Sequence, residues 1–189
     1  FFIPEPGKYK VVARTRDDAA GEAFDKVAKL LGLGYPGGPV IERLAREGNP
    51  HAVQFAIPRM GDGLPDFSFS GLKTAVTKHV RESGLSPVEN GSEPSQGIKD
   101  LAASFQHVVV QSLVRTMERI ADEYYPKTLI VAGGVACNGK LREVCKQMAE
   151  RHSLPAYFPS PHLSTDNAAM IAAAGTVKLL AGERGNLDM

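Results

Sequence analysis

The stretch Thr128–Lys140 (TLIVAGGVACNGK) constrains this chain more than any other. Leu129–Ala132 has the length and β-branched content of a buried strand. It runs into Gly133-Gly134, and the periodicity beyond predicts an amphipathic helix from near Gly139 to about Arg151. Paired glycines at such a junction let a phosphate or purine approach the backbone with no Cβ in the way. The helix start adds unpaired N–H groups and a positive dipole end. Asn138 falls at the N-cap, where it satisfies backbone donors and still presents an amide to a ligand. Taken alone, the pattern fits an ordinary βαβ turn equally well.

A second stretch, Ser164–Met170 (STDNAAM), groups four capping residues before the alanine-rich run Ala168–Ala181, as helix starts do. The plain role for Asp166 is to cap that helix and complement its dipole. A carboxylate at a helix start, just after a predicted strand (Ala156–Phe158), is also where α/β folds place metal ligands and catalytic acids.

The 189 residues, 43% hydrophobic, suffice for one ordinary globular domain. A net charge of +1 gives no bulk drive toward nucleic acid, so any RNA contact needs a local patch. Lys73, Lys78, His79 and Arg81 are candidates, although a solvated helix face explains them as well. Cys137 and Cys145 offer neither a paired metal motif nor a disulfide framework, which fits a reducing cytoplasmic setting. No apolar run approaches a membrane span and no leader is visible.

Along the chain, Phe1–Arg16 reads as two strands around Pro4–Gly7, with Val11, Ala13 and Thr15 on one half-buried face. Asp17 or Asp18 is expected to cap a helix running to Leu31, and a second helix covers Val40–Glu47. His51–Pro58 reads as extended, Asp66–Ser70 as a strand and Leu72–Ser83 as a helix. Gly84–Gly97, rich in Gly, Pro and Ser, is expected to be the most disordered part. A long helix, Ile98–Tyr125, ends at Pro126.

Four motifs now stand in order: RDDAAGEAFDKVAKLLGLGYPGGP (16–39), FSFSGLKTAV (67–76), GGVACN and STDNAAMIA. In order and spacing they resemble the universal tRNA threonylcarbamoyladenosine synthase family, once labelled glycoprotease or O-sialoglycoprotein endopeptidase. The resemblance covers about Gly7 to Gly185. It implies an α/β fold, the second lobe of an actin-like ATPase. A helical insertion would fill about 39–125, a βαβ nucleotide-binding core 126–165, and a closing helix 166–182 would pack on the first lobe. The face of Met170, Ala174, Val177 and Leu180 would then lack its partner here.

The family's first lobe carries a His-x-x-x-His metal motif and its second opens with a Ser-Gly-Gly-His-Thr phosphate loop. No two of the five histidines here are four apart, and neither motif is present. On this resemblance the chain corresponds to a C-terminal portion of the enzyme and is expected to be inactive alone.

For the complete enzyme the resemblance implies transfer of a threonylcarbamoyl group from threonylcarbamoyl-AMP to the N6 amine of the anticodon-adjacent adenosine in ANN-decoding tRNA. It assigns Asp25 and Glu42 to the ribose, Gly38 to a close backbone approach, and Asn138 to the adenosine, with Gly133 and Gly134 as the supporting loop. Without the resemblance, Asp25 reads as a helix carboxylate paired with Lys29. Asp166 matches the family's metal carboxylate, which joins two histidines around one divalent iron or zinc; alone it holds no transition metal. His162 has no metal role in the family. Ser68 and Ser70 read as structural first, with a role in shaping the tRNA-facing groove as the alternative. The wording of GYPGGP and SFSGLKTAV looks bacterial, which implies a smaller paralogous actin-like subunit and a P-loop ATPase as partners. Competing readings are another ATP-handling actin-like kinase, which leaves GEAFDK and FSFSGLKTAV unexplained, and a non-catalytic interaction module.

Overall fold

A computed structural model describes residues 1–58, 60–89 and 92–185. Its spine is one 29-residue helix, Gln96–Tyr124, about 43 Å long at the standard rise. The first half of this helix packs against three others, Ala20–Leu30 (α1), Gly37–Ala45 (α2) and Ser70–Ser83 (α3), which makes the spine α4. Phe24, Val27 and Leu31 pack with Ile41, Phe69, Leu72, Val76, Leu101, Phe105 and Val109 in one core, where Phe24 meets Phe105 edge to face at 5.2 Å.

The second half of α4 supports a smaller core. There Val110 and Val114 meet Val131, Leu141, Cys145 and Met148. These come from a parallel pair of short strands and the helix between them. Phe2–Glu5 (β1) and Lys8–Lys10 (β2) form a separate hairpin at the start of the chain, so the parallel pair is β3 (Leu129–Ile130) and β4 (Ala156–Tyr157). Helix α5 (Gly139–Arg151) connects them. Burial pushes the Cys145 thiol up to about 11, so it behaves as an inert apolar side chain. The α/β character predicted from the sequence holds, carried by few strand residues.

Several expectations change. Val11–Thr15 is not a half-buried strand: β2 stops at Lys10, and the two segments expected as strands meet only at a parallel bridge between Thr15 and Phe67. His51–Pro58 forms no strand among the described residues; Val53 N donates instead to Ser104 Oγ at 3.1 Å. Helix α2 begins three residues before the predicted Val40, because Asp25 supplies an acceptor for its first N–H. The loop expected to be most disordered is tied down in part: Val88 N donates to Leu31 O at 2.8 Å and Leu85 packs on the main core. Asn90 and Gly91, inside that loop, lie outside the described residues.

A one-turn helix, Pro161–Ser164 (α6), follows β4, and Ala168–Leu180 (α7) closes the described chain. The expectation was that one face of α7 would be bare. In fact α7 buries no residue, so the side expected to rest on this domain is uncovered too. None of the helices described is long and apolar enough to cross a membrane.

Candidate functional site

The junction after β3 is built as the glycines demand. Leu129 N and Val131 N donate to Pro155 O and Tyr157 O, and the chain leaves the sheet at Ala132. Gly133 takes φ +93° and ψ 170°, a conformation that side chains rarely adopt. A single 3₁₀ turn, Gly134–Cys137, then delivers the chain to Asn138 at the start of α5. Gly133 and Gly134 are both exposed, so their backbone faces open space.

Asn138 caps α5 as predicted: its Oδ1 accepts from Leu141 N at 2.9 Å. Its amide nitrogen, which the sequence reading left for a ligand, donates to Gln106 Oε1 at 2.8 Å, and both side chains are buried. An amide nitrogen carries two hydrogens, so one donor position stays uncommitted.

Asp25 does not pair with Lys29. Its Oδ1 accepts from Gly37 N at 2.7 Å and so holds the first N–H of α2. A Cβ on Gly37 would lie 2.6 Å from Phe24 O and 2.8 Å from Asp25 Cα, so only glycine fits there. Gly38, the residue singled out from sequence, has open space around it. Glu42, one turn further along α2, reaches the other helix start: its Oε1 accepts from Gly139 N at 3.1 Å and from Arg46 Nη2 at 2.8 Å. Each carboxylate thus commits one oxygen to a helix N-terminus, and Asp25 Oδ2 and Glu42 Oε2 make no hydrogen bond among the described residues.

These pieces lie together. Gly21 of α1 sits against Val135 of the 3₁₀ turn, with its absent Cβ 3.4 Å from Val135 Cγ2. Asp25, Glu42, Asn138 and the glycine pair therefore converge on one corner where α1, α2 and the start of α5 meet. Two residues the sequence reading missed brace it. Arg142 donates through Nε to Ala136 O and through Nη2 to Pro159 O, stapling the 3₁₀ turn to the exit of β4. Gln106 locks the Asn138 amide. Arg142 is one of several charged residues of α5 and Gln106 one of several polar residues of α4, so nothing local distinguishes them from surface residues.

Asp17 also differs from expectation. It caps not α1 but α3, fifty residues away, accepting from Ser68 Oγ and from Phe69 N and Ser70 N. Burial pushes its carboxyl up, but the three donated bonds outweigh that and hold its pKa below the ordinary value. The FSFSG hydroxyl Ser68 is thereby spent on structure.

Asp166 is exposed in the link between α6 and α7, and Asn167, not Asp166, caps α7, accepting from Met170 N at 3.0 Å. No group of three His, Cys, Asp or Glu that could hold a metal exists among the described residues. His162 is exposed as well. The residues present do not fit a transition metal by themselves.

A family model for tRNA N6-adenosine threonylcarbamoyltransferase matches residues 1–173. Curated proteins of that name are similar over nearly the whole chain. The Syntrophotalea carbinolica protein is 48% identical over 183 residues, covering 97% of this chain and 52% of its own length. The Symbiobacterium thermophilum protein is 50% identical over 184 residues, covering 97% of this chain and 51% of its own length. The chain thus spans about half the length of the curated relatives it matches. Among solved structures, the crystal structure of T. kodakarensis HypF superposes with a TM-score of 0.54 at 20% identity, over 86% of this chain and 20% of that one, a likeness of fold alone. On the family match and these identities, the chain belongs to the tRNA N6-adenosine threonylcarbamoyltransferase family.

Proposed function

We propose that this chain supplies the nucleotide-binding half of a transferase that moves a threonylcarbamoyl group from threonylcarbamoyl-AMP to the N6 amine of the anticodon-adjacent adenosine in ANN-decoding tRNA. The observation that carries the reading is the convergence of Asp25, Glu42 and Asn138 beside an exposed glycine pair. In this reading Asp25 Oδ2 and Glu42 Oε2 accept the ribose hydroxyls. Their other oxygens are pinned by backbone N–H groups, so the carboxylates are oriented before the ligand arrives and lose less entropy on binding. The spare hydrogen of Asn138 addresses the purine, and Gly133-Gly134 admits the acyl phosphate to bare backbone.

The same reading makes the fold the second lobe of an actin-like ATPase working in the cytoplasm. A smaller paralogous actin-like subunit and a P-loop ATPase would be its partners. Asp166 would give one oxygen to a divalent iron or zinc, the two histidines of the family's His-x-x-x-His motif being absent from these 189 residues.

The test is transfer itself, in the protein that carries this chain together with the family's His-x-x-x-His segment. With threonylcarbamoyl-AMP supplied, nucleoside mass spectrometry of an ANN-decoding tRNA should show modified adenosine, and Asp25→Ala with Glu42→Ala should lose it. Full modification by the double variant would overturn the assignment of this corner.

A further inference from the structure

Beside that corner, and sharing Glu42, Gln106 and Gly139 with it, helices α2, α4 and α5 enclose a cleft of about 750 Å³, with α4 as its floor. Its lining is charged, unlike the mostly apolar pockets that take small molecules. The three glutamates in it are neutralised in place: Glu42 by Arg46, Glu118 by Arg151 and Glu143 by Lys140, at 2.8, 2.8 and 3.0 Å. What remains is one unmatched cation: Arg115 is exposed and pairs with no acid among the described residues, and beside it the rings of His51 and His107 stand edge to face at 4.9 Å.

Arg115 also lines a second hollow of about 360 Å³ on its other side, shared with Arg119 and with Asp66, whose carboxylate Arg16 holds at 2.9 Å. His107, Gln111, Arg115 and Arg119 thus form an i, i+4 ridge that winds along α4 from the first cleft into the second hollow, one donor-bearing side chain per turn over about 18 Å. The local field is felt at His107: burial lowers its pKa, and His51, Lys140 and Arg115 lower it further. Of the patch expected from sequence, Lys78 faces Glu82 at 3.8 Å and the His79 ring packs edge to face with Phe55, while Lys73 and Arg81 pair with no acid among the described residues.

We propose that the α4 row His107–Gln111–Arg115–Arg119, with His51 beside it, is a groove for successive backbone phosphates of RNA. A phosphodiester chain presents like charges at short regular intervals, which a row of donors one helical turn apart can follow. A single small anion would leave most of a groove this long empty. Binding there is independent of base sequence and positions the RNA; the base is read elsewhere. The choice of RNA over another polyanion rests on the transferase reading above.

The experiment uses the full chain and a fluorescein-labelled RNA hairpin of anticodon-stem size, with anisotropy read at several salt concentrations. Arg115→Glu with Arg119→Glu should weaken binding at least tenfold, and the neutral pair Arg115→Gln with Arg119→Gln should lower the log–log salt slope by about 1.4–1.8, the loss of two phosphate contacts. Lys78→Glu on α3 should change neither. Unchanged affinity and slope in both α4 pairs, with folding confirmed by circular dichroism, would overturn the groove while leaving the transferase reading intact. An equal loss in Lys78→Glu, or equally tight binding of a labelled polyglutamate, would also overturn it. Failure of the unmodified chain to bind the hairpin at all would count against the groove and the transferase reading together.

Discussion

Glu42 accepts the backbone N–H of Gly139 at 3.1 Å, so a side chain from the middle of α2 closes the N-terminus of α5 ninety-seven residues later. This bond joins the larger core to the smaller one through the proposed ribose carboxylate. Its side chain is 17% exposed, so water cannot fully replace it. Glu42→Ala should cost about 1.5–3 kcal/mol, the range for a hydrogen bond to a charged acceptor. Glu42→Gln, which keeps an acceptor oxygen, should cost less. Urea denaturation of the three proteins at equal slope checks this; equal midpoints would remove the contact from the stability of the fold.

Gly37 and Gly38 are neighbours with opposite expectations. A Cβ on Gly37 would press on backbone atoms of Phe24 and Asp25 at 2.6 and 2.8 Å, which cannot swing aside. Gly37→Ala should therefore destabilise by about 1–3 kcal/mol, as overpacking does. Gly38→Ala meets nothing within 4 Å and lies in a helix, so it should be neutral or stabilise by about 0.4–1 kcal/mol. Thermal melts of the two variants would contradict this if their order were reversed.

The pH dependence near neutrality should trace to His107. Burial, with His51 on the preceding loop, Lys140 on α5 and Arg115 on α4, lowers its folded pKa below the ordinary 6.5. The unfolded chain then binds more protons than the folded one between the two values. Stability from this group is present above pH 6.5 and is lost as pH falls through the folded pKa. His107→Gln should flatten the stability profile in that window. An unchanged profile would place the dependence elsewhere.

Helix α7 should be the least protected helix of the chain. It carries Ile171, Val177 and Leu180 at 66%, 57% and 83% exposure and buries nothing. Its backbone bonds therefore open without breaking a core. Hydrogen exchange by mass spectrometry should show residues 168–180 exchanging far faster than 101–110 of α4, where Leu101, Phe105 and Val109 are buried. Comparable protection in a proven monomer would mean that α7 has found a packing site.

The strand–glycine–helix at 128–151 was legible because its signals are local: a β-branched run, two glycines, an Asn and an amphipathic period. So were the spine helix and its stop, where Tyr125 takes a left-handed φ of +47° before Pro126. What sequence reasoning missed is long-range. Asp17 looks like the cap of the helix it precedes, yet its acceptors are taken by the start of α3. Asp25 looks like half of an i, i+4 pair, yet it holds α2. A carboxylate's spacing along the chain does not reveal which distant N–H needs it. The steric demand at Gly37 was missed too, because packing against Phe24 is a property of the fold.

In the reading proposed above, Asp25, Glu42 and Asn138 together bind an adenine nucleotide, and isothermal titration of the chain with threonylcarbamoyl-AMP, or AMP in its place, measures that binding. Asp25→Ala should weaken binding by about 10-fold to 150-fold, the loss of one charge-assisted acceptor worth roughly 1.5–3 kcal/mol. Lys29→Ala, on the same helix but outside the corner, should leave the affinity unchanged. Equal affinities for the unmodified chain and Asp25→Ala would remove Asp25 from the nucleotide site.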